Sequence, residues 1–301
     1  MARMWKCSGL RWGAEGPVLG WRGGAESGLV RGRRVAFSVA EGGERRCVGA
    51  RGNECAERAV VPGRSTGARC EQCARLDRAH SVAADTRADD PRPYRVYLAW
   101  FGPGMTKVGI TAAERGSARL LEQGAVCFSW LGTGPLMAAR RTEELLRAAL
   151  RVPDRIPYAA KRAVRSALPD RAAERAAETA ELHARASGLD GWPESLRPAP
   201  FRPVDHWEVF GLAGLPAAVG QVSELVAGGR VSGELLAVAG PDLHLAAAGG
   251  PVVLDTRLMT GWELGPASAD GGGGGGGGGG FTVPVREFGT ARGAGVQDGL
   301  F

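Results

Sequence analysis

Apolar and polar positions alternate with a period of two along residues 94–101, Val96, Leu98 and Trp100 sharing one face and Arg95, Tyr97 and Ala99 the other. Gly102-Pro103-Gly104 punctuates the pattern and Lys107–Thr111 resumes it, which predicts a β-hairpin. Pairing the apolar faces puts Tyr97 and Lys107 together on the opposite, more polar face, where Gly109 leaves room for a ligand to approach. The period then changes. Residues 114–123 read as a short helix stopped by Gly124, residues 125–131 as a third strand, and residues 135–150 as a second helix with proline in its first turn. The predicted order is ββαβα.

The second helix holds an anomaly. Leu136, Ala139, Leu146 and Leu150 form one apolar stripe, and Glu143 falls inside it, whereas Glu144, Arg140, Arg141 and Arg147 lie on the polar side. Burying an unpartnered carboxylate is costly. Both a salt bridge to Arg119 or Arg115 and a bound cation would answer that cost, and the pattern leaves the two open.

Around this unit the signals are weaker. Residues 1–45 are rich in Gly and Arg with short strand-like pieces such as Arg34–Val39, a β meander. Residues 157–188 favour helix, and four prolines between Gly191 and Pro203 separate them from a β-rich tail, in which residues 231–240 and 242–247 read as paired strands. Gly271–Gly280 is an unbroken glycine run, a flexible loop by composition. The expected architecture is α+β. Residues 1–90 would form a β meander with a zinc-ribbon-like module, 94–190 the ββαβα domain with a helical extension, and 200–301 a small β-rich domain.

Six cysteines sharpen the first segment. Cys47, Cys55, Cys70 and Cys73 are spaced C-x7-C-x14-C-x2-C, and the C-x2-C half places two thiolates one turn apart, as a tetrahedral zinc ion requires. Six arginines (Arg45, Arg46, Arg51, Arg58, Arg64 and Arg69) lie between or beside them and would offset thiolate charge. A redox pair at Cys70/Cys73 lacks the strand-to-helix setting that such chemistry uses. His80 is a possible substitute ligand, and Cys7 and Cys127 read as core cysteines.

Charge adds a partner class. Residues 1–95 carry 18 basic and 11 acidic side chains, residues 96–190 carry 14 and 10, and residues 191–301 carry 6 and 11. A basic front with an acidic back suits a polyanion such as DNA or RNA. No apolar run is long enough for a membrane span and residues 1–12 lack a secretory apolar core, so a reducing cytoplasmic setting is expected.

Val96-Tyr97-Leu98 followed by Lys107-Val108-Gly109-Ile110-Thr111, with an arginine on the next helix and Glu143 on the one after, resembles the GIY-YIG nuclease superfamily over about residues 94–150. Across the whole chain, the cysteine spacing, Arg119-x3-Gln123-Gly124-Ala125 and Gly233-x-Leu-x3-Ala-Gly240 are similar to a bacterial domain-of-unknown-function family, number 2797. The superfamily resemblance implies proton transfer at Tyr97, phosphate contact by Arg119 or Arg115, and a Mg²⁺ or Mn²⁺ ion on Glu143. It departs where the second tyrosine would stand, at Lys107, which implies weakened catalysis. Two functions follow as expectations: a zinc- and nucleic-acid-binding protein with weak metal-dependent nuclease activity, or a non-catalytic scaffold that keeps the fold.

Overall fold

The structure is a computed structural model that describes residues 4–78, 90–267 and 280–288. His80 and residues 271–279 of the glycine run lie outside the described residues.

Four strands open the chain: β1 (Trp5–Gly13), β2 (Gly16–Trp21), β3 (Glu26–Gly28) and β4 (Arg34–Val39). The first three form an antiparallel meander, but β4 turns elsewhere. The tail supplies β10 (Gly220–Val222), β11 (Arg230–Ala239), β12 (Asp242–Ala246), β13 (Val252–Asp255), β14 (Glu263–Pro266) and β15 (Val285–Glu287). All ten join in one sheet ordered β15-β10-β13-β12-β11-β4-β14-β1-β2-β3. Strand β4 lies between β11 and β14, and β1 pairs with β14 through Trp5↔Leu264. The flanking segments 1–90 and 200–301 therefore share one core, in which Phe37, Val39, Leu235, Leu254 and Leu264 are all buried. Each small segment alone has too little apolar surface to bury, and pooling their strands answers that shortage.

The second sheet is central in sequence. Strands β5 (Tyr94–Trp100), β6 (Thr106–Ala112) and β7 (Cys127–Gly134) lie in the order β6-β5-β7, and two short pieces, β8 (Arg197–Pro198) and β9 (Val204–Asp205), extend β7. The β5–β6 hairpin runs in unbroken register from Tyr94↔Ala112 to Trp100↔Thr106. Its turn uses left-handed Gly104 (φ 69°), a conformation glycine adopts freely. Helices α2 (Ala118–Gln123), α3 (Leu136–Leu150), α4 (Tyr158–Val164) and α5 (Ala172–Ser187) follow the hairpin. The helix predicted from residue 114 begins later, because residues 113–115 make a tighter 3₁₀ turn closed by Gly116. Gly124 ends α2 in the left-handed region as expected.

Helices α3 and α5 cover one face of this sheet, burying Val96, Leu98, Leu131, Leu146 and Leu182 together. The opposite face, expected to be the more polar, is also buried, by Tyr97, Ala99, Phe101, Leu120 and Phe128. Strand β5 is thus covered on both sides, which its nearly continuous apolar sequence requires. Among the described residues no helix is long and apolar enough to cross a membrane.

Gly124 and Gly240 mark where the two sheets meet. A Cβ on Gly240 would lie 2.9 Å from the Gly124 nitrogen, and one on Gly124 would lie 3.3 Å from the Gly240 nitrogen. Two backbones touch here because neither residue carries a side chain. Beside them α4 and the 3₁₀ turn that follows it insert Arg162 and Arg165, respectively, into the tail sheet. Arg162 lies 2.5 Å from both Asp242 and Asp255, and Arg165 lies 2.8 Å from Asp242.

Candidate functional site

The four cysteines converge. Their sulfurs all lie within 4.8 Å of one another, and Cys55 and Cys70 are 3.9 Å apart. A tetrahedral ion with metal–sulfur bonds of ~2.3 Å has edges of about 3.8 Å, so this spacing suits a tetrathiolate metal centre. A redox pair uses two thiols, whereas here four share one point.

Local backbone explains the convergence. Residues 46–69 form loops pinned by two isolated bridges, Arg46↔Val60 and Ala50↔Asn53, rather than by ribbons of strand. Backbone amides are spent on sulfur instead: Gly49 and Cys70 donate to Cys47 Sγ at 3.4 and 3.2 Å. Gly49 is obligatory, since a Cβ there would lie 1.8 Å from the Asn53 carbonyl oxygen. Cys70 accepts the first helical hydrogen bond of α1 (Glu71–Arg78), from Ala74, and Cys73 lies one turn on. The Ala59 amide pulls the Cys55 thiol down to about 7, toward the ligand form, whereas burial pushes Cys73 up to about 12. A metal would deprotonate both.

Arg46, Arg58 and Arg69 line a cavity of about 420 Å³ beside the cluster, along with Lys6, Arg22 and three glutamates. That wall has a surplus of two positive charges, which matches the −2 of four thiolates around a divalent ion. Arg45 does otherwise. It is 1% exposed and donates to the carbonyl oxygens of Pro62, Ser65, Arg257 and Thr260, fastening the cysteine loops to the tail sheet. Cys7 and Cys127 are buried in the main core, apart from the cluster.

A second constellation occupies the hairpin. Tyr97 is 2% exposed and its hydroxyl accepts a 2.9 Å hydrogen bond from Gln123 Nε2. The ring lies over Gly109, where a Cβ would come within 2.3 Å of the phenolic oxygen. Lys107 Nζ is 5.8 Å from the centre of that ring and donates to the Asp154 carbonyl at 3.0 Å. Burial, then the charge of Arg119, drives Lys107 down to about 8. Burial likewise raises the Tyr97 hydroxyl, against the pull of Gln123 and Arg119.

Glu143 is half-buried at the edge of the α3 stripe while Glu144 is exposed. Its carboxyl is pushed up by burial and drawn back by Lys107, and it forms no ion pair among the described residues. The anticipated bridge to Arg119 or Arg115 is absent among them. Arg115 pairs with Glu122 at 2.6 Å, and Arg119 is 3.7 Å from the same carboxylate. Tyr97, Lys107, Arg119 and Glu143 are thus gathered into one electrostatic group, with Arg115 turned aside. Gln123 belongs with them, and its place in a helix's last turn gave no hint of that. Tyr97 and Lys107 lie inside, Arg119 and Glu143 at the rim.

The family model described as "Protein of unknown function (DUF2797)" matches residues 32–264. The chain belongs to the DUF2797 family. The matched stretch begins just before β4 and ends in β14, two strands that pair with each other. It takes in strands β4 and β10 to β13, the first half of β14, the cysteine cluster and the hairpin domain, and leaves out β1, β2, β3 and β15. No curated protein and no solved structure matched the chain.

Proposed function

We propose that this DUF2797 chain binds zinc through Cys47, Cys55, Cys70 and Cys73 and binds DNA or RNA through its basic first 190 residues. In this reading residues 94–150 act as a GIY-YIG-like phosphodiester site of weak, divalent-metal-dependent nuclease activity. The observation that carries it is Glu143, a half-buried acid that has no ion pair among the described residues and whose charge acts on Tyr97 and Lys107, as that of Arg119 does. An acid so placed suits a Mg²⁺ or Mn²⁺ ion, whose chemistry is to offset charge on a phosphate. Arg119 at the rim would steady the same charge, and Tyr97 with Lys107 would hold or pass a proton. Thiols of this kind persist in a reducing compartment, which favours the cytoplasm.

Labelled DNA and RNA incubated with Mg²⁺ or Mn²⁺ test it. Slow cleavage is expected, since replacing one of two proton-transfer tyrosines by Lys107 forfeits roughly 10²–10⁴-fold. Glu143→Ala should abolish what remains, Tyr97→Phe should weaken it, and Glu144→Ala should leave it unchanged. Equal effects from the two glutamates would sink the assignment.

Binding has its own signature. Affinity should fall steeply with added salt as condensed counterions are released. Binding that ignores salt, or fails at low ionic strength, would favour the second reading. That reading is a non-catalytic scaffold, and the near-complete burial of Tyr97 under Gln123 is the observation on its side.

A further inference from the structure

Arg95 and Trp130 flank Tyr97 on the same sheet face. Trp130 is the cross-strand partner of Tyr97, their ring centres 6.4 Å apart at 79°, and Phe128 buttresses Trp130 from 5.1 Å at 77°. The Arg95 guanidinium lies 5.0 Å from the Trp130 ring centre. Both side chains are half-buried, so each keeps a surface in solvent. Arg95 makes no ion pair or side-chain hydrogen bond among the described residues, and contact with the indole face is what positions it. Arg92, Arg115 and Arg119 each face a carboxylate, whereas the donors of Arg95 are unspent among the described residues.

We propose that Arg95 and Trp130 form a platform for one unpaired nucleic-acid base, so that the substrate class is single-stranded rather than duplex. The inference rests on the phosphodiester reading of the neighbouring Tyr97–Arg119–Glu143 group. Aromatic and guanidinium planes stack on any base, and they do so where the base is not already stacked within a helix. Alternate residues of a strand point to the same face, so Arg95 is the next position beyond Tyr97 along β5. A nucleotide that sets its base on the platform would turn its phosphate toward Arg119 and toward a cation held by Glu143. Arg95's free donors would hydrogen-bond the base edge or the adjoining phosphate.

The test uses the full chain and three fluorescein-labelled probes of equal length: oligothymidylate, the same strand with abasic sugars, and a duplex. Binding is followed by anisotropy. Trp130→Leu should weaken oligothymidylate binding about five- to a hundredfold, Arg95→Ala somewhat less, and Trp130→Phe least, with duplex and abasic binding unchanged. If Trp130→Leu unfolds the hairpin domain, Arg95→Ala and Trp130→Phe carry the comparison, because one changes a surface group and the other keeps an aromatic face. Equal losses on all three probes, or no loss on any, would overturn the platform while leaving phosphate binding intact. Failure of the unaltered protein to bind any probe at low salt would remove the reading beneath it.

Discussion

Cys73→Ser and Cys70→Ser should each release the metal and loosen residues 46–73. Protein purified without added metal should contain close to one equivalent of zinc, and each variant close to none. The effect is large because little apolar packing holds these loops. Apart from the cysteines, their buried cluster contains only Ala50 and Val61, with Ala59 packed at its edge. Structural zinc contributes roughly 10–16 kcal/mol of apparent binding free energy in small zinc modules, far beyond what so few methyl groups supply. Damage should also spread, because Arg45 joins the carbonyls of Pro62 and Ser65 to those of Arg257 and Thr260. Elemental analysis with limited proteolysis reads both effects, and Cys7→Ala, which alters a thiol outside the cluster, should keep its metal. Undiminished zinc in both serine variants would refute the centre.

Asp242→Ala should lower the melting temperature by on the order of 10 °C. Asp242 is wholly buried and answers two buried guanidinium groups, Arg162 and Arg165. Removing one partner from a buried charge group costs about 3–5 kcal/mol, because the remaining ions are left uncompensated in a poor solvent for charge. By contrast, cutting the exposed Glu71–Arg75 pair should barely register. The pH dependence carries a definite sign. Burial alone would raise the Asp242 carboxyl, but the charges of Arg165 and Arg162 outweigh it and hold the carboxyl below its ordinary value. A depressed folded-state value stabilises the protein above the unfolded carboxylate range near 4, and the benefit is lost as pH falls through the lower folded value. Thermal melts should therefore converge for the two proteins in acid and diverge at neutral pH. A constant gap would show that Asp242 acts through packing, not charge.

The hairpin domain was legible because its determinants are local. Alternation along 94–100, the break at Gly102–Gly104, the cap at Gly124 and the proline before α3 each act within a few residues, and the strands and α3 fall within three residues of where they predict. The half-burial of Glu143 beside exposed Glu144 was legible for the same reason, since a helical stripe records burial. The large sheet was not, because β4 finds its partners about 195 and 225 residues away, and strand periodicity records a covered face without naming what covers it. Arg45 looked like one more basic neighbour of the thiolates. A sequence shows that a cation is present, but the acceptors here are backbone carbonyls, which every residue has. Arg162 and Arg165 were hidden likewise among the many arginines of a helix-favouring stretch. Sequence left both Arg115 and Arg119 as candidates, and it could not show that Glu122 pairs closely with Arg115 and only loosely with Arg119.

The pairing of β1 with β14 also sets a clock on the nascent chain. At about 5–20 residues per second, Trp5 waits on the order of tens of seconds before Leu264 is even made. During that interval β1, β2 and β4 present unpaired edges, and the cysteine loops exist before the carbonyls of Arg257 and Thr260 to which Arg45 fastens them. The hairpin domain, whose contacts are mostly near in sequence, can close in the meantime. An early-loaded metal would then be the first fixed point of the N-terminal segment, so zinc supply during synthesis would govern how much of each batch reaches the native state and how much is diverted to aggregates.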